Sequence, residues 1–472
     1  MTVPRKPGAV YTPDSAARAI CRTALRLFLR DKSSEAVRSL RVFDPAAGTG
    51  QLLLAMLEEL AALGVDRRQA MHNLYGMDID PEAVRVCRER LGGGHVECGD
   101  TLFATIPGPF DIIVGNPPYI DSETMTRHHG KPYRHKIAEQ YSCARGNWDL
   151  YIPFFERGLE LLKPDGFLVY ITPDKWLSKS FGAVLRALCL PKLLSLETAG
   201  RGVFADARVD AVITAMSARD SDTLQANSQT VRKTDLTAPY ALDYLLSPRL
   251  PFIRQMEALP ARLADFGHCE PSCATADAYK LLPLLREGGG GYRLVNTGTI
   301  APLSSRWGEK TITYLKHKFR EPTCSREEFL RTFPHAYGQK TRLPKIIIKG
   351  LNRLDAMPDF DAGYIPGKTT LIFYSKTPDH LLFALGIINS SPARQYVNER
   401  YRASSYNGAV SFTAAMIESI PVPADKKFYG NVVEKVRQIL ADPAAPELRQ
   451  ELEELIQRAY GNFSDASGIR PV

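Results

Sequence analysis

The sequence predicts an α/β fold, a doubly wound, mainly parallel seven-stranded sheet of Rossmann-like type, followed by a C-terminal α+β domain. Three observations carry this expectation. Helical and strand-like segments alternate from residue 14 to about 217; a glycine-bearing turn joins the first strand to the next helix; and acidic residues end three successive strands.

The elements follow in order. A helix is expected from Asp14 to about Arg30, then the apolar strand RVFDPA (41–46), the helix TGQLLLAMLEELAAL (49–63) and a second strand, NLYGMDID (73–80). Asp80 suits an N-cap and Pro81 the first position of the helix PEAVRVCRERL, which leads to a short third strand at 95–98. FDIIVGNPPY (110–119) reads as a buried strand opening into a proline-stiffened turn. The polar stretch 121–147 lacks periodicity and is expected to be a mobile loop. A helix around 149–162, the strand FLVYIT (167–172), a helix to about Leu190 and strands near 193–197 and 209–216 complete the sheet. Residues 218–240 suit a surface connection, so the chain divides into domains 1–240 and 241–472, the second with short β-rich runs and a closing helix near 445–460.

Composition bounds the function. The 472 residues are 44% hydrophobic and 24% charged, ordinary values for a globular chain of two or three packed domains. No stretch approaches a membrane span and the start lacks the apolar core of a signal peptide, so a cytoplasmic location with no membrane partner is expected. The eight cysteines are scattered; the close pair Cys269 and Cys273 lacks a second pair, so reduced thiols and no metal are expected. The net charge is +8, and residues 301–420 alone hold seventeen Lys and Arg against ten Asp and Glu, which suits a polyanionic partner.

Asp44-Pro45-Ala46-Ala47-Gly48-Thr49-Gly50 places two glycines where a ligand can approach the backbone without meeting a Cβ. Asp78, ending the second strand, can take both hydroxyls of a ribose, and Asp100 can accept from the exocyclic amine of an adenine ring. There is no GxxxxGK[ST] sequence to grip phosphates.

Asn116-Pro117-Pro118-Tyr119 addresses a different chemical problem. An aromatic amine is a poor nucleophile because its lone pair is delocalised into the ring. If the Asn116 side-chain oxygen and the Pro117 carbonyl each accept one N–H, the nitrogen is drawn toward tetrahedral geometry and its lone pair is directed at an incoming methyl group. Proline fixes both acceptors before reaction, so little reorganisation is needed. Tyr119 would stack on the ring.

These motifs resemble the amino-methyltransferases that use S-adenosyl-L-methionine, and among them the TaqI-type, gamma-class adenine DNA methyltransferases. Tyr11-Thr12-Pro13 is similar to that family's N-terminal motif, which closes over the methionine part of the cofactor. By the resemblance Asp44, Ala46, Gly48, Gly50, Asp78, Ile79, Asp100, Thr101 and Leu102 would bind the cofactor. Asn116, Pro117 and Tyr119 would grip a flipped adenine, with Phe204 against the opposite side of its ring. Asn147-Trp148-Asp149-Leu150-Tyr151 resembles a further motif near the cofactor pocket. Transfer would then be direct, and the absence of a Pro-Cys dipeptide agrees with a route that needs no covalent cysteine.

The expected partner is double-stranded DNA, from which the target base must leave the stack. The C-terminal domain carries cations and aromatics (Trp307, Tyr314, Lys316, Lys318, Arg320, Lys345, Lys349, Arg353, Arg402 and Tyr406) of the mix that contacts phosphates and base edges. Only ten residues precede Tyr11, so a cognate restriction endonuclease is expected on a separate chain. The alternatives are methylation of RNA adenine, of cytosine N4 or of a protein glutamine, whose carboxamide nitrogen poses the same lone-pair problem, and a non-catalytic DNA-binding protein on this fold.

Overall fold

Runs that are apolar on both faces, such as FDIIVG at 110–115, can be buried only in the middle of a sheet with helices on each side. The computed structural model describes residues 12–199, 211–236, 241–402, 405–406 and 409–461. It divides into two compact units, Met1–Leu246 and Ser247–Val472.

The first unit is built on one sheet of nine strands: β1 (Val42–Asp44), β2 (Leu74–Asp78), β3 (His95–Cys98), β4 (Phe110–Gly115), β5 (Leu162–Pro173), β6 (Leu193–Thr198), β7 (Ala211–Ser217), β8 (Thr223–Ala226) and β9 (Gln229–Arg232). Their order is β3-β2-β1-β4-β5-β7-β6-β8-β9. Strands β3, β2, β1, β4 and β5 are parallel, so their carboxyl ends share one edge. The chain leaves β1 toward β2 on one side and returns to β4 on the other, which opens a crevice at that edge. Strand β7 is antiparallel to both neighbours.

Among the described residues seven helices accompany the sheet: α1 (Asp14–Leu29), α2 (Gln51–Ala62), α3 (Arg67–His72), α4 (Pro81–Leu91), α5 (Ser122–Gln140), α6 (Tyr151–Glu160) and α7 (Ala183–Cys189). Leu52, Leu53, Met56, Leu57 and Leu60 of α2 are buried in one core with Val42, Leu74, Ile112, Val114 and Val169 of the strands. Helix α4 is capped by Asp80, whose carboxylate accepts from Glu82 N at 3.2 Å, and has proline in its first turn.

Two expectations are corrected. Residues 122–140 form a helix rather than a mobile loop. Asp121 caps it, accepting from Thr124 N at 2.8 Å, and the helix is anchored by only two buried side chains, Met125 and Ile137. Gly130 breaks it with φ 81° and ψ 165°, and Pro132 follows, which is why no continuous period is visible. The second correction concerns 218–240, where β8 and β9 pair as a hairpin and lengthen the sheet from seven strands to nine. Leu224, Ala226 and Val231 are buried beside polar neighbours that mask their alternation, and Asn227 turns the hairpin at φ 47°.

The second unit contains two four-stranded sheets, one of them antiparallel in the order 268–271, 370–374, 345–349, 356–359. The helix Pro378–Ile388 is buried on nearly every side. Several of the cations and aromatics expected at a DNA surface are structural instead. Lys345 lies inside the antiparallel sheet, wholly buried, with its ammonium 2.5 Å from Asp359 on the adjacent strand. Tyr314 is buried and donates to Ala278 O, and Lys349 pairs with Asp355; Arg353 also pairs with Asp355 but keeps its side chain 63% exposed. Trp307 is half-buried and donates to Pro322 O. Lys316 and Lys318 are exposed at the end of a hairpin formed by Ile312–Tyr314 and His317–Phe319. The side chain of Tyr406 lies outside the described residues. No described helix is long and apolar enough to cross a membrane.

Candidate active site

The loop after β1 is shaped by two left-handed glycines. Gly48 has φ 51°, and a Cβ there would meet no heavy atom within 4 Å; Gly50 has φ 86°, and a Cβ there would stand 2.6 Å from Cys87 Sγ. Gly50 is therefore required by packing, whereas Gly48 faces open space that a ligand can fill. Asp44 is buried and accepts from Ala46 N at 3.1 Å. Asp78 accepts from Gly48 N at 2.8 Å and from Asp80 N at 2.9 Å, so this carboxylate is tied to the glycine loop itself. Ile79 beside it is 55% exposed, an apolar side chain at the sheet edge where a ring could rest.

Burial pushes the Asp44 carboxyl up to about 7; the Ala46 hydrogen bond opposes the rise and the negative charge of Asp78 adds to it. The unfolded carboxyl titrates near 4. Between those values the unfolded chain has released a proton that the folded protein still holds, so stability falls as pH rises from about 4 to about 7 and then levels off. Asp44→Asn keeps an acceptor for Ala46 and removes the titration. The variant is expected to lose this decline, gaining on the order of 4 kcal/mol relative to the parent between pH 4 and pH 8. Denaturant unfolding across that range checks it, and parallel pH profiles for the two proteins would contradict the assignment.

Beyond β3, Asp100 accepts from Leu102 N through Oδ1 at 3.0 Å and from the Tyr133 hydroxyl through Oδ2 at 3.0 Å. The loop is held from two further directions. Thr101 Oγ1 donates to Pro45 O at 2.6 Å, joining it to the glycine loop, and Arg157 donates to Thr101 O at 3.2 Å and Ala104 O at 2.8 Å. Leu102 is wholly buried and Thr101 nearly so.

The turn after β4 stands next to the glycine loop, since a Cβ on Gly115 would lie 3.4 Å from Pro45 Cδ. Asn116 Nδ2 donates to Thr12 Oγ1 at 2.9 Å, which directs the amide nitrogen at Thr12 and the oxygen away from it. The Tyr119 hydroxyl donates to Ile171 O at 3.3 Å, and its ring meets Tyr151 edge-on with centroids 6.3 Å apart. Burial pushes the Tyr119 phenol well above its ordinary value. Pro117 is buried. An open groove of about 630 Å³ is lined by Asp121, Ser122, Glu123, Thr126, Arg127, Asn147 and Asp149, none of them in the 116–119 turn. Burial raises Asp149 to about 6, against the attraction of Lys175 and with the repulsion of Asp121.

The fold thus brings Asp44, Ala46, Gly48, Gly50, Asp78, Ile79, Asp100, Thr101, Leu102, Asn116, Pro117 and Tyr119 to one sheet edge. Thr12, expected on the cofactor side, accepts from Asn116; Pro13 is the residue before α1. Tyr11 and Phe204 lie outside the described residues, although Thr198 and Val212, which flank the segment holding Phe204, are paired. Tyr133 and Arg157 were not anticipated, and nothing in their local sequence marks them.

Residues 95–193 match the family model described as Eco57I restriction-modification methylase. The chain is 38% identical over 104 residues to "Type II methyltransferase M.XhoI" of Xanthomonas vasicola, a match covering 22% of this chain and 18% of that protein. It is 28% identical over 169 residues to "Release factor glutamine methyltransferase" of Bradyrhizobium diazoefficiens, covering 34% of this chain and 52% of that one. These matches take in about half or less of each relative's length. A solved structure of the Type IIL restriction-modification enzyme MmeI in complex with DNA shares the fold, with TM-score 0.50 over 95% of this chain and 73% of that one, at 12% identity. The chain is therefore similar to Type II methyltransferases, and the segment holding Asp100, Asn116 and α5 is similar to the Eco57I restriction-modification methylases.

Proposed function

We propose that this protein is a gamma-class, TaqI-type DNA methyltransferase that transfers a methyl group from S-adenosyl-L-methionine to N6 of an adenine flipped out of duplex DNA, as the modification enzyme of a restriction-modification system. The observation that carries this reading is the placement of the Asn116 turn against the glycine loop, with the amide oriented by Thr12. In this reading the unit 1–246 is catalytic and 247–472 recognises DNA.

The residues present fit the cofactor. Gly48 leaves room for it, Asp78 offers two carboxylate oxygens to a ribose, Asp100 offers an acceptor to the adenine amine, and Ile79 offers an apolar face. The bound cofactor supplies an electrophilic methyl group on a sulfonium. Asn116 Oδ1 and Pro117 O accept the two N–H bonds of the target amine and direct its lone pair, while Tyr119 holds the base edge-on. With S-adenosylmethionine bound, that methyl group would pass to the amine held by Asn116 and Pro117, leaving the thioether behind, and the amine would give up one proton to solvent.

The test is transfer of labelled methyl from S-adenosylmethionine to duplex DNA, with N6-methyladenine as the expected product. The similarity to a release factor glutamine methyltransferase favours a second reading, in which the acceptor is a protein carboxamide. Label found in protein and absent from DNA would establish that alternative.

DNA contact by the second unit has its own test at the exposed hairpin end. Charge reversal in Lys316→Glu with Lys318→Glu is expected to weaken duplex binding and to lower the slope of log affinity against log salt by about 2. Fluorescence anisotropy over a salt series measures this, and unchanged affinity at low salt would remove both lysines from the interface.

A further inference from the structure

We propose that Tyr133 is a positioning residue for cofactor recognition, holding the Asp100 carboxylate in the orientation that accepts the exocyclic amine of the cofactor's adenine. The inference rests on the proposal that Asp100 meets that amine. It begins from the break in α5. Gly130 adopts a φ and ψ open to glycine, and the turn re-aims the rest of the helix. Beyond it Tyr133, Lys136 and Gln140 follow at helical spacing, so they share one face. That face covers the 100–103 loop: the Tyr133 hydroxyl donates to Asp100 Oδ2 at 3.0 Å, Lys136 Nζ stands 3.9 Å from the Phe103 ring centroid, and Gln140 Nε2 donates to Leu102 O at 3.0 Å. Tyr141, just past the helix, donates to the same Leu102 carbonyl at 2.6 Å.

With Leu102 N on Oδ1 and the Tyr133 hydroxyl on Oδ2, both oxygens of Asp100 have a fixed donor and the plane of the carboxylate is set. Each oxygen keeps a further lone pair for an incoming amine. The tyrosine is itself held. Its ring stacks on His129, with centroids 4.8 Å apart, and meets Phe103 edge-on at 5.8 Å. Burial, the Asp100 charge and the shared hydrogen bond keep the phenol protonated, so it remains a donor across the physiological range.

Tyr133→Phe removes the donor and retains the ring, so both aromatic contacts survive. Calorimetric titration of the full chain with S-adenosylhomocysteine, and with its inosine counterpart in which a carbonyl replaces the amine, separates positioning from packing. The parent is expected to prefer the adenosine compound. Tyr133→Phe is expected to bind that compound about tenfold more weakly while its affinity for the inosine compound changes less than twofold, and to have no further effect in an Asp100→Asn background. Equal weakening toward both compounds, or no change toward either, would overturn the positioning role. Failure of the parent to bind either compound would overturn the cofactor reading itself, and this inference with it.

Discussion

Asn116→Ala is expected to lower methyl transfer by about 10²- to 10³-fold while leaving cofactor affinity within twofold of the parent. The magnitude is that of deleting one preorganised hydrogen-bonding group from a site where charge develops in the transition state. The selectivity follows from position, because Asn116 follows β4 while the acids assigned to the cofactor stand at the ends of β1 and β2 and just past β3. The substitution also removes the bond to Thr12, a net contribution of about 1 kcal/mol, so the fold should persist. Single-turnover transfer with labelled S-adenosylmethionine and calorimetry with S-adenosylhomocysteine read the two quantities separately. Loss of cofactor binding in a folded variant would place Asn116 on the wrong side of the site.

The largest effect on stability is expected in the second unit. Lys345 and Asp359 stand opposite each other on adjacent strands, with side-chain exposures of 0% and 2%. Lys345 Nζ also donates to Thr341 O at 2.7 Å, and Asp359 Oδ1 accepts from Gly363 N at 2.7 Å. Burial pushes the lysine down and the aspartate up, against their mutual attraction. Lys345→Ala strands a buried carboxylate and is expected to cost about 3–5 kcal/mol. Lys345→Met with Asp359→Asn leaves no charge and keeps an acceptor for Gly363, so it should recover part of that loss. Guanidinium unfolding followed through Trp307, the only tryptophan in residues 247–472, reports on this unit. A loss below about 1 kcal/mol, the range of exposed pairs, would mean that water reaches the ions.

The same pair shows where the sequence stops being legible. A lysine at each end of KIIIK reads as solvent-facing, because burying a charge is unfavourable unless it is paired. The partner that permits it lies fourteen positions on in a different strand, which no local pattern reveals. The parallel strands and the glycine turn were legible because buried runs and positive φ leave direct marks in residue type. The acids at the carboxyl ends of β1 and β2 were legible for a similar reason, since strand ends can be located from where apolar runs stop. Helix α5 was not, since its two buried anchors are separated by Gly130 and Pro132 and its other residues are mostly polar. Tyr133 was hidden with it. The hairpin β8–β9 was hidden because three buried residues are too few to outweigh their polar neighbours.

In the proposed reading the bond from Asn116 Nδ2 to Thr12 Oγ1 presents the oxygen end of the carboxamide to the target base. Turned over by 180°, the same side chain would offer hydrogens to an amine that already has two, and the encounter would be repulsive. Thr12 lies just ahead of α1, which is clamped to α2 by Arg18 on Glu58 and Arg22 on Glu59. The bond that holds residue 116 in the first of these two orientations thus reaches a hydroxyl 104 positions earlier.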